Sequence, residues 1–472
     1  MVLCQKDKEP KRKKERGWDI ANISVKYLTV NFCGRSSINH NLKRLETIEE
    51  GTASVARALR TFRDFMRRQR SNFHVLVVRG VCTSFSKGLT QNYTSIYIVE
   101  LGADPIQLGG LSGVGSLVNT FVSAPIGWLA DRYSLKTAFL LGLILEVLMP
   151  LFFALSWSWE MLVIPVILSS MTMVTTLTIE RVLTADSLRD KDRATGFGVF
   201  MTLSQIPAMI SPVIAGLIVT WLGGISAEAI RPLFYIAFVV SLLTSAWVYL
   251  KLKEVGPSPR LSQEGFFSGF KSVLAGRWWL KRWLMVELLG SFIFGSTMPF
   301  IMVYAADVKG ADAITLGVMG SALSLVSTIF SIPFGRLADK IGRKKTILLL
   351  RPALYLSYLL LVWAPRPEFL ILAFALRGIL WSSFNVWVSM QMELVPRGER
   401  GRWGGTINTF RSIVRIPAPI IGGLLWTYIN PSVPFLLLIL IDALIRMPIL
   451  STMPETLTEL EKSRSTQQSK PG

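Results

Sequence analysis

The sequence predicts an all-α membrane protein, with twelve transmembrane helices in two pseudo-symmetric six-helix bundles. Three observations carry this. Of the 472 residues, 51% are hydrophobic and 17% charged, and mean hydropathy is +0.44, whereas soluble domains approach a quarter charged. About twelve apolar stretches reach the roughly 20 residues needed to cross a bilayer core. The chain also repeats itself. Gly102-Ala-Asp-Pro-Ile-Gln-Leu-Gly109, Ser116-Leu-Val118 and Ser123-Ala-Pro-Ile-Gly-Trp-Leu-Ala-Asp131 recur 208 residues later as Gly310-Ala-Asp-Ala-Ile-Thr-Leu-Gly317, Ser324-Leu-Val326 and Ser331-Ile-Pro-Phe-Gly-Arg-Leu-Ala-Asp339. A duplicated set of apolar helices suits a secondary transporter, because two similar halves can rock around one shared site.

Residues 1–72 read as a basic cytoplasmic extension, opening with Lys11-Arg-Lys-Lys14. Val55, Leu59, Phe62 and Met66 recur at helical spacing among Arg60, Arg63 and Arg67, a pattern that suits a helix lying on an anionic leaflet. A loosely ordered tail, or a true start at Met66, fits the same residues. No cleavable signal peptide is expected, since no apolar core promptly follows the basic run. The N-terminal bundle is expected over 73–252, with spans near 76–100, 105–130, 136–156, 160–185, 194–221 and 231–252. A cytoplasmic linker over 253–281 carries Pro257, Pro259, Gly265 and Gly269, and Phe266 to Trp279 suits an interfacial helix. The C-terminal bundle is expected over 282–454, with spans near 283–305, 313–337, 345–364, 368–393, 402–428 and 432–453, and a cytoplasmic tail over 455–472.

The net charge of +20 invites a nucleic-acid reading, but its distribution argues for a bilayer instead. Basic residues gather in alternate loops, from Arg132 and Lys136 through Lys251 to Arg282 and on to Arg397 to Arg402, while the loops at 157–160 and 428–431 carry few or none. That bias puts both termini in the cytoplasm and suits a multi-pass protein, with the plasma membrane as the expected location. Cys4, Cys33 and Cys82 have no paired spacing, so neither a disulfide framework nor a zinc site is expected. No cofactor, metal cluster, phosphate loop or convergent nucleophile and base appears, which argues against an enzyme.

Two loops carry the most specific pattern. Gly127-Trp-Leu-Ala-Asp-Arg-Tyr-Ser-Leu-Lys136 and Gly335-Arg-Leu-Ala-Asp-Lys-Ile-Gly-Arg-Lys344 each place a glycine before an acid at a helix end, facing several cations. Both resemble the G-x-L-a-D-r-x-G-r-k signature of the major facilitator superfamily. The resemblance implies the repeat architecture, a monomer, and a gating role for Asp131 with Arg132 and for Asp339 with Lys340 and Arg343. It further implies that each acid accepts from a neighbouring helix N-terminus and pairs with a nearby cation to hold the cytoplasmic side shut. The first copy departs from the pattern at Ser134 and Leu135, so the second is expected to be the stronger latch. Asp186 precedes Arg193 by the same seven residues that separate Glu393 from Arg400, and these pairs are expected to exchange partners with the two loops. Ser211-Pro-Val-Ile-Ala-Gly216 and Ala418-Pro-Ile-Ile-Gly-Gly423 resemble an element that this superfamily associates with proton-coupled export.

Ionisable groups at bilayer depth are costly and therefore mark function. Ser84, Lys87, Gln91 and Ser95 make one stripe, and Ser169, Thr172, Thr176 and Glu180 another. Glu287 with Ser291, the set Arg377, Trp381, Asn385 and Ser389, and the set Asn408, Arg411 and Arg415 complete the group. Lys87, Gln91, Arg377, Trp381, Asn385, Arg411 and Arg415 are the expected substrate contacts. In the superfamily fold their spans line the central cavity. Four cations cannot pair with each other, so an electropositive cavity and a small organic anion are expected. With His40 and His74 at or before the first span, a coupling proton would ride on Glu180, Glu287, Glu146 or Asp442, with Glu180 and Glu287 the favoured candidates. Asp442 and Arg446, four residues apart, are expected to neutralise each other, and Glu146 has no local partner. Two alternatives stand beside an anion carrier. One is a proton-coupled exporter of amphipathic compounds, and the other is a receptor or scaffold that kept the fold.

Overall fold

The repeated Gly-Ala-Asp segment shows how sequence fixes local structure in the computed structural model. Gly102 and Gly310 turn the chain at φ +95 and +68, a region that side chains with a Cβ rarely enter. The following alanines are buried, and the aspartates then cap the next helix. Asp104 Oδ1 accepts from Gln107 N at 2.7 Å, while Gln107 Oε1 accepts from Asp104 N at 2.8 Å. In the second repeat Asp312 Oδ1 accepts from Thr315 N at 2.9 Å. Capping satisfies helix N–H groups that would otherwise lack partners.

The structure describes residues 60–132, 135–175, 179–253, 278–396 and 399–456, without the side chains of 123–132, 135, 174–175, 190, 194 and 401–402. Met1–Arg68 and Gln69–Gly472 form separate units. The first is described only as a helical segment over 60–68. The upstream half of the expected amphipathic helix and most of the 253–281 linker lie outside the described residues. In the second unit α1 is Ser71–Thr90, α2 Pro105–Arg132, α3 Leu135–Leu155, α4 Val163–Thr175, α5 Arg193–Trp221 and α6 Ala227–Lys251. After the linker come α7 Trp278–Thr297, α8 Ala313–Ile341 and α9 Arg343–Trp363. The tenth apolar stretch breaks into α10 Phe369–Ser382 and α11 Phe384–Glu393, the eleventh into α12 Arg400–Arg415 and α13 Ala418–Tyr428, and α14 is Val433–Ile441. No strand occurs among the described residues.

Eight of the described helices are long and apolar enough to cross a membrane. Their outer faces expose Trp221 (85%), Leu250 (76%) and Ile332 (65%), where burying one such side chain is favourable by about 1.5–3 kcal/mol. Only a lipid surround makes that exposure tolerable, and the chain is an integral multi-pass membrane protein.

α2 packs on α13, and α5 on α8. Both contacts depend on a missing Cβ, since one added to Gly109 would collide with the Pro419 carbonyl, and one added to Gly317 with the Pro212 carbonyl. Tyr93 OH donates to Ala313 O at 2.6 Å and Asn92 Nδ2 to Leu316 O at 3.0 Å, tying the same end together. Farther along α8, Gly335 faces open space, with no atom within 4 Å of where its Cβ would stand. No close helix approach is made at Gly335 among the described residues, and the close approaches sit at the opposite end of the helix.

Candidate functional site

A cavity of about 160 Å³ opens between α7, α9, α10, α11, α12 and the turn after α14. Four arginines line it, namely Arg351, Arg411, Arg415 and Arg446, against one lining carboxylate, Glu287. Trp381, Phe384, Trp387, Phe294 and Met298 supply the apolar wall.

Two of the arginines are committed to a buried acid. Arg351 holds Asp442 in a two-point fork, with Nε on Oδ2 and Nη2 on Oδ1, both at 2.6 Å. Arg446 Nη1 donates to Asp442 Oδ1 at 2.9 Å, and Tyr355 OH to Oδ2 at 2.9 Å. Arg446 also donates from Nε to Val286 O at 2.8 Å. Its guanidinium lies where a side chain on Gly290 would have to go, so glycine at 290 makes room for that charge. The expected Asp442 with Arg446 contact is present, but Arg351 is its stronger partner and escaped the sequence reading.

Trp387 joins this cluster to the acid on α7. Its Nε1 donates to Glu287 Oε1 at 2.6 Å, while its ring carries the Arg446 guanidinium 4.6 Å from the centroid. Arg411 reaches Glu287 Oε2 at 3.5 Å and Ser291 Oγ at 3.3 Å through Nε. Arg415 makes no hydrogen bond or ion pair among the described residues, although it stands on the cavity wall.

The expected face on the tenth span is corrected: the cavity wall lies about one residue round the helix from it. Ser382 Oγ and Ser383 Oγ donate back to the carbonyls of Ile379 and Leu380 at 2.5 and 2.7 Å, which loosens a helix and bends it. The wall runs through Leu380, Phe384, Trp387 and Gln391 together with Trp381. Asn385 and Ser389 are exposed away from it. Arg377 sits behind the wall, donating to Met298 Sδ at 3.0 Å with its guanidinium 5.3 Å from the Tyr358 ring centroid. Lys87 and Gln91 are exposed on or just after α1 and form no part of this wall.

A second buried charge cluster occupies the N-terminal half. Arg79, 1% exposed, pairs with Glu146 Oε2 at 2.5 Å and with Glu180. Glu146 thus finds its partner across helices, and Glu180 is bound to an arginine that the sequence reading passed over. Of the α4 stripe, Thr172 Oγ1 donates to its own helix at Leu168 O, 2.8 Å away, and Thr176 lies outside the described residues.

At the far end of α8, Arg343 joins Asp339 at 2.9 Å and Glu393 at 3.4 Å. Among the described residues, Asp339 accepts from no helix N-terminus. The N-terminus of α9 is instead taken by Glu455, whose Oε1 accepts from Arg343 N at 2.8 Å and Lys344 N at 3.3 Å, and whose Oε2 accepts from Lys345 N at 3.3 Å. Thr456 Oγ1 donates to Glu393 Oε2 at 2.6 Å. Glu393 therefore pairs with Arg343, while Arg400 Nε has no partner among the described residues. Lys340 is exposed beside Asp339. In the first repeat, Gly127, Asp131 and Arg132 fall in the last turns of α2, where side chains lie outside those described. The Asp186 carbonyl accepts from Arg70 Nη1 at 2.8 Å, and Arg193 opens α5 as an exposed residue.

The sequence profile of the Major Facilitator Superfamily matches residues 77–419 and 309–468. An uncharacterized MFS-type transporter of Methanocaldococcus jannaschii is 25% identical over 379 residues, covering 78% of this chain and 92% of that one. Multidrug resistance protein 1 of Bacillus subtilis is 23% identical over 354 residues, covering 74% and 87%. The class B tetracycline resistance protein of Escherichia coli is 26% identical over 175 residues, covering 37% and 43%. Among solved structures, a mutant of the nucleoside transporter NupG superposes with TM-score 0.66 at 17% identity, covering 80% of this chain and 98% of that one. A POT family transporter in complex with 5-aminolevulinic acid gives 0.62 at 15%, covering 84% and 96%. At such identities the structural likeness speaks to fold alone.

Proposed function

The chain belongs to the Major Facilitator Superfamily, and from that premise we propose a secondary transporter that moves a small organic anion across the membrane by alternating access. Twelve spans in two six-helix bundles, both termini cytoplasmic and a monomeric working unit complete this reading. The observation that carries it is the charge balance of the cavity: among the described residues, Arg351, Arg411, Arg415 and Arg446 stand against two acids, Glu287 and Asp442. Excess fixed cations in an apolar setting favour an anionic guest. The close contacts at Gly109 and Gly317, with open space at Gly335, support a conformation closed at the outer end and open toward the cytoplasm. Arg377, Lys87, Gln91 and Asn385 then act outside the cavity wall, in shaping the path or in the opposite state. Glu180 and Glu287 are the proton-coupling candidates.

A second reading, proton-coupled export of amphipathic compounds, draws on relatives named as multidrug and tetracycline resistance proteins and on the exposed Trp381 and Phe384 rings. Uptake into proteoliposomes, with and without a pH gradient, across carboxylates, phosphate esters, sugars and hydrophobic cations separates the two. Anion uptake lost in Arg411→Gln supports the first reading. Uptake of hydrophobic cations with no anion uptake overturns it in favour of the second.

A further inference from the structure

We infer that the anion carried is a dianion on a flat apolar body, of the class of aryl phosphates and phosphonates, with its charged head on Arg411 and Arg415 and its body against Trp381 and Phe384. This narrows the anion reading above and rests on it.

The four cavity arginines divide into two kinds. Arg351 and Arg446 share Asp442 in closed, buried contacts. Both are turned onto that acid, which answers one of their two charges. Arg411 spends only Nε, on Glu287 at 3.5 Å and Ser291 at 3.3 Å, and its terminal nitrogens make no hydrogen bond among the described residues. Arg415 spends none of its donors. Glu287, meanwhile, already accepts the short bond from Trp387 Nε1.

Arg411 and Arg415 stand four residues apart on α12, one helical turn, where like charges repel. The helix dipole relieves part of this at Arg415, the last residue of α12, but acts weakly on a residue a full turn further in. Two forks with spare donors outnumber a lone carboxylate, which answers one fork and one charge. A phosphoryl head carries nearly two charges at neutral pH and three acceptor oxygens, enough for both. Beside them the cavity is aromatic. Trp381 and Phe384, 43% and 50% exposed, stand with ring centroids 6.3 Å apart, and Phe294 and Met298 continue the surface.

Isothermal titration of the purified full chain with phenyl phosphate and with benzoate, at pH 8 and pH 5, tests this. Phenyl phosphate is expected to bind about ten-fold or more tightly than benzoate at pH 8, with the advantage lost at pH 5, below the second phosphate pKa of about 6. Arg415→Gln, on an exposed wall position, is expected to weaken phenyl phosphate by about ten-fold and benzoate by no more than about three-fold. Trp381→Leu is expected to weaken phenyl phosphate while leaving inorganic phosphate unchanged. Equal affinity for the two ligands at both pH values overturns the dianion assignment and leaves the anion reading standing. If neither ligand binds while the uptake panel registers another anion, this inference alone is overturned. A panel without any anion uptake overturns both.

Discussion

Arg79 and Glu287 hold the same position in the two repeats, 208 residues apart, and carry opposite charges. Each reaches the expected fourth span of its own half, 160–185 or 368–393, at positions 207 apart: Arg79 meets Glu180, and Glu287 meets the Trp387 indole at 2.6 Å. One buried polar contact has thus been kept by the fold while its chemistry reversed. In the first half a cation is shared by two acids, Glu146 and Glu180. In the second an acid is held by an indole and faces arginines, which leaves an excess of cations on that side.

Removing the shared cation should be costly. Arg79→Leu leaves two carboxylates with no cation between them, and breaking a buried pair typically costs about 3–5 kcal/mol. A large fall in melting temperature is expected in detergent. Adding Glu146→Gln and Glu180→Gln should restore most of it, and no recovery would show that packing of Arg79, not its charge, matters.

Glu287→Gln keeps an acceptor for Trp387 but removes the charge that competes for Arg411. Anion affinity should therefore rise, by up to about five-fold for a long ion pair at 3.5 Å worth about 1 kcal/mol at most. Titration calorimetry measures it, and weaker binding would indicate that Glu287 positions Arg411 more than it competes for it. If Glu287 carries the coupling proton, uptake by the same variant becomes indifferent to an imposed pH gradient.

Gly109→Ala and Gly317→Ala each force a methyl against a carbonyl of the other half. Overpacking of this kind costs about 1–3 kcal/mol, so each should shift the resting population toward the state open at that end. Labelling of a cysteine placed at Asn92 should rise in both variants, and an unchanged rate would mean that the helices absorb the methyl without parting.

Glu455→Ala removes the acceptor for three backbone N–H groups at the start of α9, a loss of about 0.5–2 kcal/mol for a cap. Asp339→Asn disturbs only an ion pair whose acid is 68% exposed, worth less than about 1 kcal/mol. Thermal melts should rank the two in that order. Cysteine accessibility from the cytoplasmic side then reports whether Asp339→Asn also favours inward opening.

The repeat, the apolar spans and the Asp339 loop were legible because they depend on local pattern: a capped turn, a run of apolar residues, an acid among cations. Arg79 and Arg351 were not. Each stands near an expected span end, where a lone arginine reads as an interfacial anchor, and only the fold shows Glu146 and Asp442 waiting across the helix gap. The face of the tenth span was misjudged for a different reason. A 3.6-residue period aligns Arg377 with Trp381 and Asn385, but the wall takes the adjacent stripe of Leu380, Phe384, Trp387 and Gln391, and periodicity alone does not choose between neighbouring stripes. Arg411 and Arg415, on an unbroken stretch of α12, kept the alignment that periodicity gives.

One labelling measurement tests directly whether a cation-lined chamber faces each side of the membrane in turn. With Cys4, Cys33 and Cys82 replaced by serine, Gln391→Cys places a single thiol on the cavity wall. Membrane-impermeant reagent should modify it from either face of oriented proteoliposomes, and a bound organic anion should protect it from both. Modification from one face only, unaffected by any anion, would contradict the account.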